Sequence, residues 1–128
     1  MTCRPMPERR PLAILLATGD HARMHAAFTL AAGAAAMDRP VLVFAMGDGC
    51  RALLATLDAA GEALLAGRGV ATVAELRAAA VDLGARLVIC ETALRASGID
   101  PGALLAGIAV EGVLAFLDAA RDADTLTL

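Results

Sequence analysis

The chain has 128 residues, a formal net charge of −3 and a hydrophobic share of 59%, which suits one domain with a real core and argues against disorder. All 11 basic residues are arginine, and Lys, Asn, Gln, Tyr and Trp are absent. A Walker A phosphate loop, Schiff-base or pyridoxal-phosphate chemistry and a phospho-aspartate receiver all need lysine and are excluded, and 3 Phe on a negatively charged chain supply no stacking groove for single-stranded nucleic acid.

Residues 1–11 hold three prolines and four charges and read as a flexible arm, leaving 12–128 as one domain. Arg4, Arg9 and Arg10 precede the apolar run Leu12 to Ala17, but that run is too short for a secretory signal and reads as a buried strand. Asp20 to Met37 carries Met24, Ala27, Leu30, Ala31, Ala34 and Ala35 at helical spacing and is closed by Asp38-Arg39-Pro40. Val41 to Ala45 is a second buried strand, left through Met46-Gly47-Asp48-Gly49. Arg51 to Ala66 is helical in composition, with Gly61 as a break. Thr72 and Glu75 form a capping box that opens a helix ending at Gly84. Arg86 to Cys90 is the third clear strand, and Glu91 to Ala96 a short helix stopped by Ser97-Gly98. Asp100-Pro101 starts another helical turn. Gly107 to Val110 is a short extended segment, and Glu111 to Ala120 a helix with Val113, Leu114, Phe116 and Leu117 on its apolar face. Thr125 to Leu128 alternates as a final strand.

Strands alternating with helices predict an α/β fold. The expected architecture is a three-layer α/β/α sandwich around a mostly parallel sheet of about five strands, with flavodoxin- or Rossmann-like layering. Alanine is about a quarter of the chain. High-GC codon usage explains that excess, and small side chains also let helices sit close to a sheet. No stretch reaches the roughly 18 apolar residues of a membrane helix. An odd, sparse set of cysteines (Cys3, Cys50, Cys90) with no CxxC suits a reducing cytoplasm, not a disulfide framework.

In parallel sheets chemistry collects beyond the carboxyl ends of the strands, which selects the loops at Thr18–His21, Met46–Cys50, Cys90–Thr92 and Glu111-Gly112. Cys90 ends a strand and opens a helix, where unpaired backbone N–H groups favour a thiolate; the adjacent Glu91 opposes it by like-charge repulsion. The alternative is an inert, buried cysteine in the last turn of a strand. Cys50 reads as an apolar filler or as a second relay thiol, and Cys3 as incidental to the arm. His21 and His25, spaced i,i+4, share a helix face. Without an HExxH context they read as capping or surface residues, with His21 also placed to donate a proton or contact a phosphate. Asp48 and Glu111 either cap helices or orient a donor thiol. Arg95 either stabilises an anionic sulfur species or is a solvated helix residue. No GxGxxG is present and the arginines form no dense run, so neither a dinucleotide nor nucleic acid is expected. No metal or other cofactor is expected either.

Cys90-Glu-Thr-Ala93-Leu94-Arg95-Ala-Ser-Gly98-Ile99 resembles the cysteine segment of the DsrE/DsrF/TusD sulfur-relay family. Val43-Phe44-Ala-Met-Gly47-Asp48-Gly49 is similar to the family's second strand and acidic-Gly turn, and Gly107 to Ala120 with Asp124 to its C-terminal half. The resemblance spans residues 12–128. It implies a DsrEFH-like α/β fold, assembly into a trimer or hexamer, and a sulfur-donor or acceptor protein as partner. It also implies that Cys90 takes sulfane sulfur as a persulfide and passes it to a partner thiol. Two other readings stand beside it: a non-catalytic oligomeric subunit of the same fold, and a small-ligand or nucleotide binder using the strand-end loops.

Overall fold

The computed structural model describes residues 9–128. Cys3 and positions 1–8 of the expected arm lie outside the described residues. Five strands form one parallel sheet in the order β4-β3-β2-β1-β5. They are β1 (Leu12–Leu16), β2 (Val41–Ala45), β3 (Arg86–Cys90), β4 (Ala109–Glu111) and β5 (Asp124–Thr127). The helices are α1 (His21–Ala36), α2 (Ala59–Gly67), α3 (Val73–Asp82), α4 (Glu91–Ser97) and α5 (Val113–Ala119), with two short 3-10 helices, η1 (Gly47–Leu53) and η2 (Pro101–Ala103).

The strand order sets the layers. From β1 to β4 the chain steps one way across the sheet, so right-handed connections put α1, α2, α3 and α4 on one face; the return from β4 to β5 reverses direction and puts α5 on the other. The first face is thoroughly sealed. Ile14, Leu16, Val43 and Ile89 have no exposed surface, and α1 and α3 cover them with Ala27, Phe28, Ala31, Val73 and Ala80. The second face is covered by one seven-residue helix. Phe116 of α5 stacks on Phe44 of β2, ring centroids 4.5 Å apart. The expected apolar face of α5 is only partly used: Phe116 is buried, while Val113, Leu114 and Leu117 are 47%, 79% and 58% exposed.

Three boundaries differ from the sequence reading. The segment Arg51 to Ala66 is not one helix. It divides into η1 and α2, with Leu54–Asp58 non-helical between them, and Gly61 lies inside α2. Asp58 supplies the reason, capping α2 by accepting from the Ala60 N–H at 3.1 Å. The short strand runs from Ala109 to Glu111, two residues later than the apolar run begins. Glu111 therefore ends a strand and does not start a helix; the α5 N-cap is Gly112. Elsewhere the local signals hold. Asp20 caps α1, accepting from Arg23 N–H at 3.1 Å. The Thr72/Glu75 capping box is formed in both directions, and Asp100 caps η2. Arg10 and Pro11, at the end of the expected arm, are tied down: Arg10 pairs with Asp124 at 3.1 Å, and the Pro11 carbonyl accepts from Asp124 N–H at 2.9 Å.

Candidate functional site

Beyond the carboxyl edge of the sheet, η1 sits across the ends of β1 and β2. Met46 N–H donates to the Leu16 carbonyl at 3.0 Å, and Gly49 N–H to the Met46 carbonyl at 3.0 Å. Gly49 lies so close to the Leu16 carbonyl that any Cβ there would overlap it. At the far end of η1, the guanidinium of Arg77 in α3 donates to the carbonyls of Ala52 (2.7 Å) and Leu54 (2.8 Å). Arg77 is only 3% exposed. Its burial pushes the guanidinium pKa down, and the Glu62 carboxylate opposes that shift.

Between η1 and α4 lies a cavity of about 430 Å³, lined by Met46, Gly47, Asp48, Cys90, Thr92 and Ala93, and by Ala96 and Ser97 further along α4. Cys90, the N-cap of α4, is 4% exposed and faces this space. Asp48 joins it from the first turn of η1, and its carboxylate caps no helix, contrary to one expectation. Glu91 and Arg95 do not line the cavity. They pair with each other at 3.3 Å on the exposed side of α4, so Arg95 is a solvated helix residue. Glu111 stands beside Cys90 in the strand register, and its carboxylate is taken by Arg86 at 2.7 Å. Ala96 and Ser97, further along α4, lie outside the loops selected from the sequence, whereas Met46 and Thr92 fall within them. A position within one or two helical turns of Cys90 is the signal that reaches the first two.

His21 is elsewhere. It lines a separate cavity of about 470 Å³ with Gly19, Arg51, Thr56 and Asp58. A carboxylate only accepts, so the imidazole donates through Nε2 to Glu62, at 2.8 Å. Its ring lies against Gly61, where a Cβ would come within 2.6 Å of Nδ1. Glu62 also accepts from the N–H groups of Val73 and Ala74, each at 3.0 Å. Burial pushes the Glu62 pKa up, but the hydrogen bonds from Ala74, His21 and Val73 outweigh it and hold the carboxyl below its ordinary value. His25 donates through Nε2 to the Ala71 carbonyl at 2.9 Å. The two histidines thus brace α1 against the α2–α3 segment. Among the described residues no group of three or more His, Cys, Asp or Glu side chains is placed to hold a metal ion.

Cys50 of η1 is fully buried, with its thiol donating weakly to the Ala45 carbonyl at 4.0 Å. Burial pushes this thiol's pKa up, and the neighbouring Cys90 adds to the shift.

With this geometry in view, the family model of the DsrE/DsrF-like family matches residues 12–128. The chain belongs to the DsrE/DsrF-like family. Solved structures of the same fold include the protein of unknown function MTH1491 from Methanobacterium thermoautotrophicum, 18% identical with a TM-score of 0.70, covering 93% of this chain and 99% of that one. The ychN protein from E. coli is 16% identical with a TM-score of 0.70 and the same coverage. The conserved protein of unknown function BT1422 from Bacteroides thetaiotaomicron is 14% identical with a TM-score of 0.64, covering 98% of this chain and 100% of that one. At these identities the likeness is one of fold. No curated protein matches the chain. For this DsrE/DsrF-like chain, the cavity at the β3–α4 junction is the place where a thiol, a carboxylate and open space meet.

Proposed function

We propose that the protein is an intracellular sulfur carrier that holds sulfane sulfur as a persulfide on Cys90 and relays it to a partner protein's thiol. The observation that carries this reading is the placement of Cys90. It ends β3 and occupies the N-cap position of α4 in the wall of a cavity of about 430 Å³, in a chain of the DsrE/DsrF-like family. A lining that includes Gly47, Ala93 and Ala96 leaves room beside Cys90 for one added sulfur. Transfer is a thiolate attack on a sulfur–sulfur bond, with the Cys90 thiolate as the leaving group. Asp48, also in the lining, would orient the incoming thiol. Incubation with a polysulfide donor should add the mass of one sulfur atom to the intact chain, and Cys90→Ser should abolish the gain while Cys50→Ala keeps it. Equal uptake by the Cys90→Ser chain would refute the assignment.

We also propose a homo-oligomer, a trimer or hexamer, formed over the second face of the sheet. The exposed Val113, Leu114 and Leu117 of α5 support it, because the fold leaves that face with a single short helix. The same feature favours the second reading, a non-catalytic oligomeric subunit. Under that reading Cys90, only 4% exposed, would react no faster than a model thiol. Among the described residues no helix is long and apolar enough to cross a membrane. A cytoplasmic location is part of the proposal because persulfide relay needs thiols kept reduced.

A further inference from the structure

One 3-10 turn along η1 from the Cys90 cavity is a second thiol that the relay reading does not use. In a 3-10 helix, residues three apart eclipse one another. Gly47, Cys50 and Leu53 therefore form one stripe along η1. The top of that stripe, Gly47, lines the Cys90 cavity. The next position, Cys50, has no exposed surface, and neither has Leu53. The Cys50 thiol lies 4.0 Å from the Ala45 carbonyl. Ala45 is the register partner of Ile89, the residue before Cys90, and adjacent strands run only about 4.8 Å apart. Cys90 is thus in the cavity wall at the end of β3, and the Cys50 thiol lies near the carboxyl end of the neighbouring strand β2. Burial, with the Cys90 thiol adding to it, keeps Cys50 protonated in the resting protein.

We propose that Cys50 is the resolving thiol of this site: it closes on a Cys90 persulfide that no partner has claimed and discharges the sulfur as sulfide. The inference rests on the persulfide reading of Cys90. In the step, the deprotonated Cys50 sulfur attacks Sγ of Cys90. A bond forms between the two cysteine sulfurs, and the bond from Cys90 Sγ to the terminal sulfur breaks. The electron pair leaves with that terminal sulfur, which departs as hydrosulfide and takes up the proton given by Cys50. The sulfane sulfur is reduced as the two thiols become a disulfide, so no outside oxidant enters. The sealed, protonated state of Cys50 makes this closure slow. A loaded Cys90 has time to meet an acceptor, and unclaimed sulfur is released without reaching other thiols.

The test uses the full chain in a Cys3→Ser background, loaded with polysulfide and freed of excess reagent. Sulfide release is followed beside non-reducing peptide mapping. Sulfide should appear in step with a peptide cross-linked between Cys50 and Cys90, and the chain should lose the mass of two hydrogens relative to the reduced form. With Cys50→Ala, and separately Cys50→Ser, the persulfide on Cys90 should last several-fold longer. Loading of Cys90 followed by sulfide release without the cross-link, or an unchanged persulfide lifetime in both variants, would overturn the inference and leave the carrier reading intact. Failure to load Cys90 at all would overturn both.

Discussion

At the scale of single residues, one carboxylate joins three helices. Glu62 of α2 accepts from His21 at the start of α1 and from two N–H groups at the start of α3. It ties down α2, none of whose residues is fully buried and whose Leu65 packs partly buried against the core. Its folded-state pKa lies below the ordinary 4.5. The contribution to stability is therefore complete above about 4.5 and is lost as the pH falls through the lower folded value. Glu62→Gln should destabilise the protein at neutral pH by about 1–3 kcal/mol and flatten the acid limb of its stability profile. Urea melts across the acid range check this; a parallel downward shift with the acid limb retained would contradict it. This cluster has almost no signature in the sequence. Glu62 is far from His21 in sequence and has no motif around it, so only the tertiary fold brings the pair together.

At the scale of elements, η1 sets the floor of the Cys90 cavity and is held at both ends. Gly49 presses on the Leu16 carbonyl at one end, and Arg77 satisfies the Ala52 and Leu54 carbonyls at the other. Arg77→Met would leave both carbonyls without that donor, at a cost of about 2–4 kcal/mol, read in the unfolding midpoint. A loss of only a few tenths would show that water replaces the guanidinium. The strands and caps around η1 were legible in the sequence because their signals are local. Continuous apolar runs marked β1, β2 and β3, and the Thr72/Glu75 spacing marked α3. The segment from Arg51 was not, because its alanine and leucine content is helical on average. The break comes from Asp58 capping a new helix and from carbonyls that Arg77 holds out of the helical pattern. The apolar spacing of α5 identified a helix correctly but not which side is covered, since Phe116 is the one buried residue of α5 and stacks on Phe44 of the sheet.

The exposed side of α5 supports the second prediction at this scale. Leu114 is 79% exposed, so Leu114→Glu should change the stability of an isolated protomer by no more than about 0.5 kcal/mol. In an oligomer built on this face it should disperse the assembly, as read by light scattering on a sizing column. An unchanged solution mass would place the interface elsewhere.

At the scale of the whole molecule, the parallel sheet brings the chemistry-bearing loops to one edge but sorts them into two cavities. Cys90 and Asp48 share one, and His21 lies in the other with Arg51. Sequence position alone picked out the loops that line this edge. It did not separate the cavities, because η1 lines both, with Gly47 and Asp48 in one and Arg51 in the other, and its path depends on long-range contacts. Of the residues singled out beforehand, Glu91 and Arg95 neutralise one another on the exposed side of α4, and Glu111 is occupied by Arg86. Cys90 is left with Asp48 as the one charged side chain in its cavity lining, and the carrier reading depends on that thiol. The most direct measurement is peptide-resolved mass spectrometry of the wild-type chain after polysulfide loading, before and after addition of an acceptor thiol. One extra sulfur is expected on the Cys90 peptide and none on the Cys50 peptide, with that sulfur lost when the acceptor is added. Sulfur spread over both peptides, or absent from Cys90, would contradict the carrier reading.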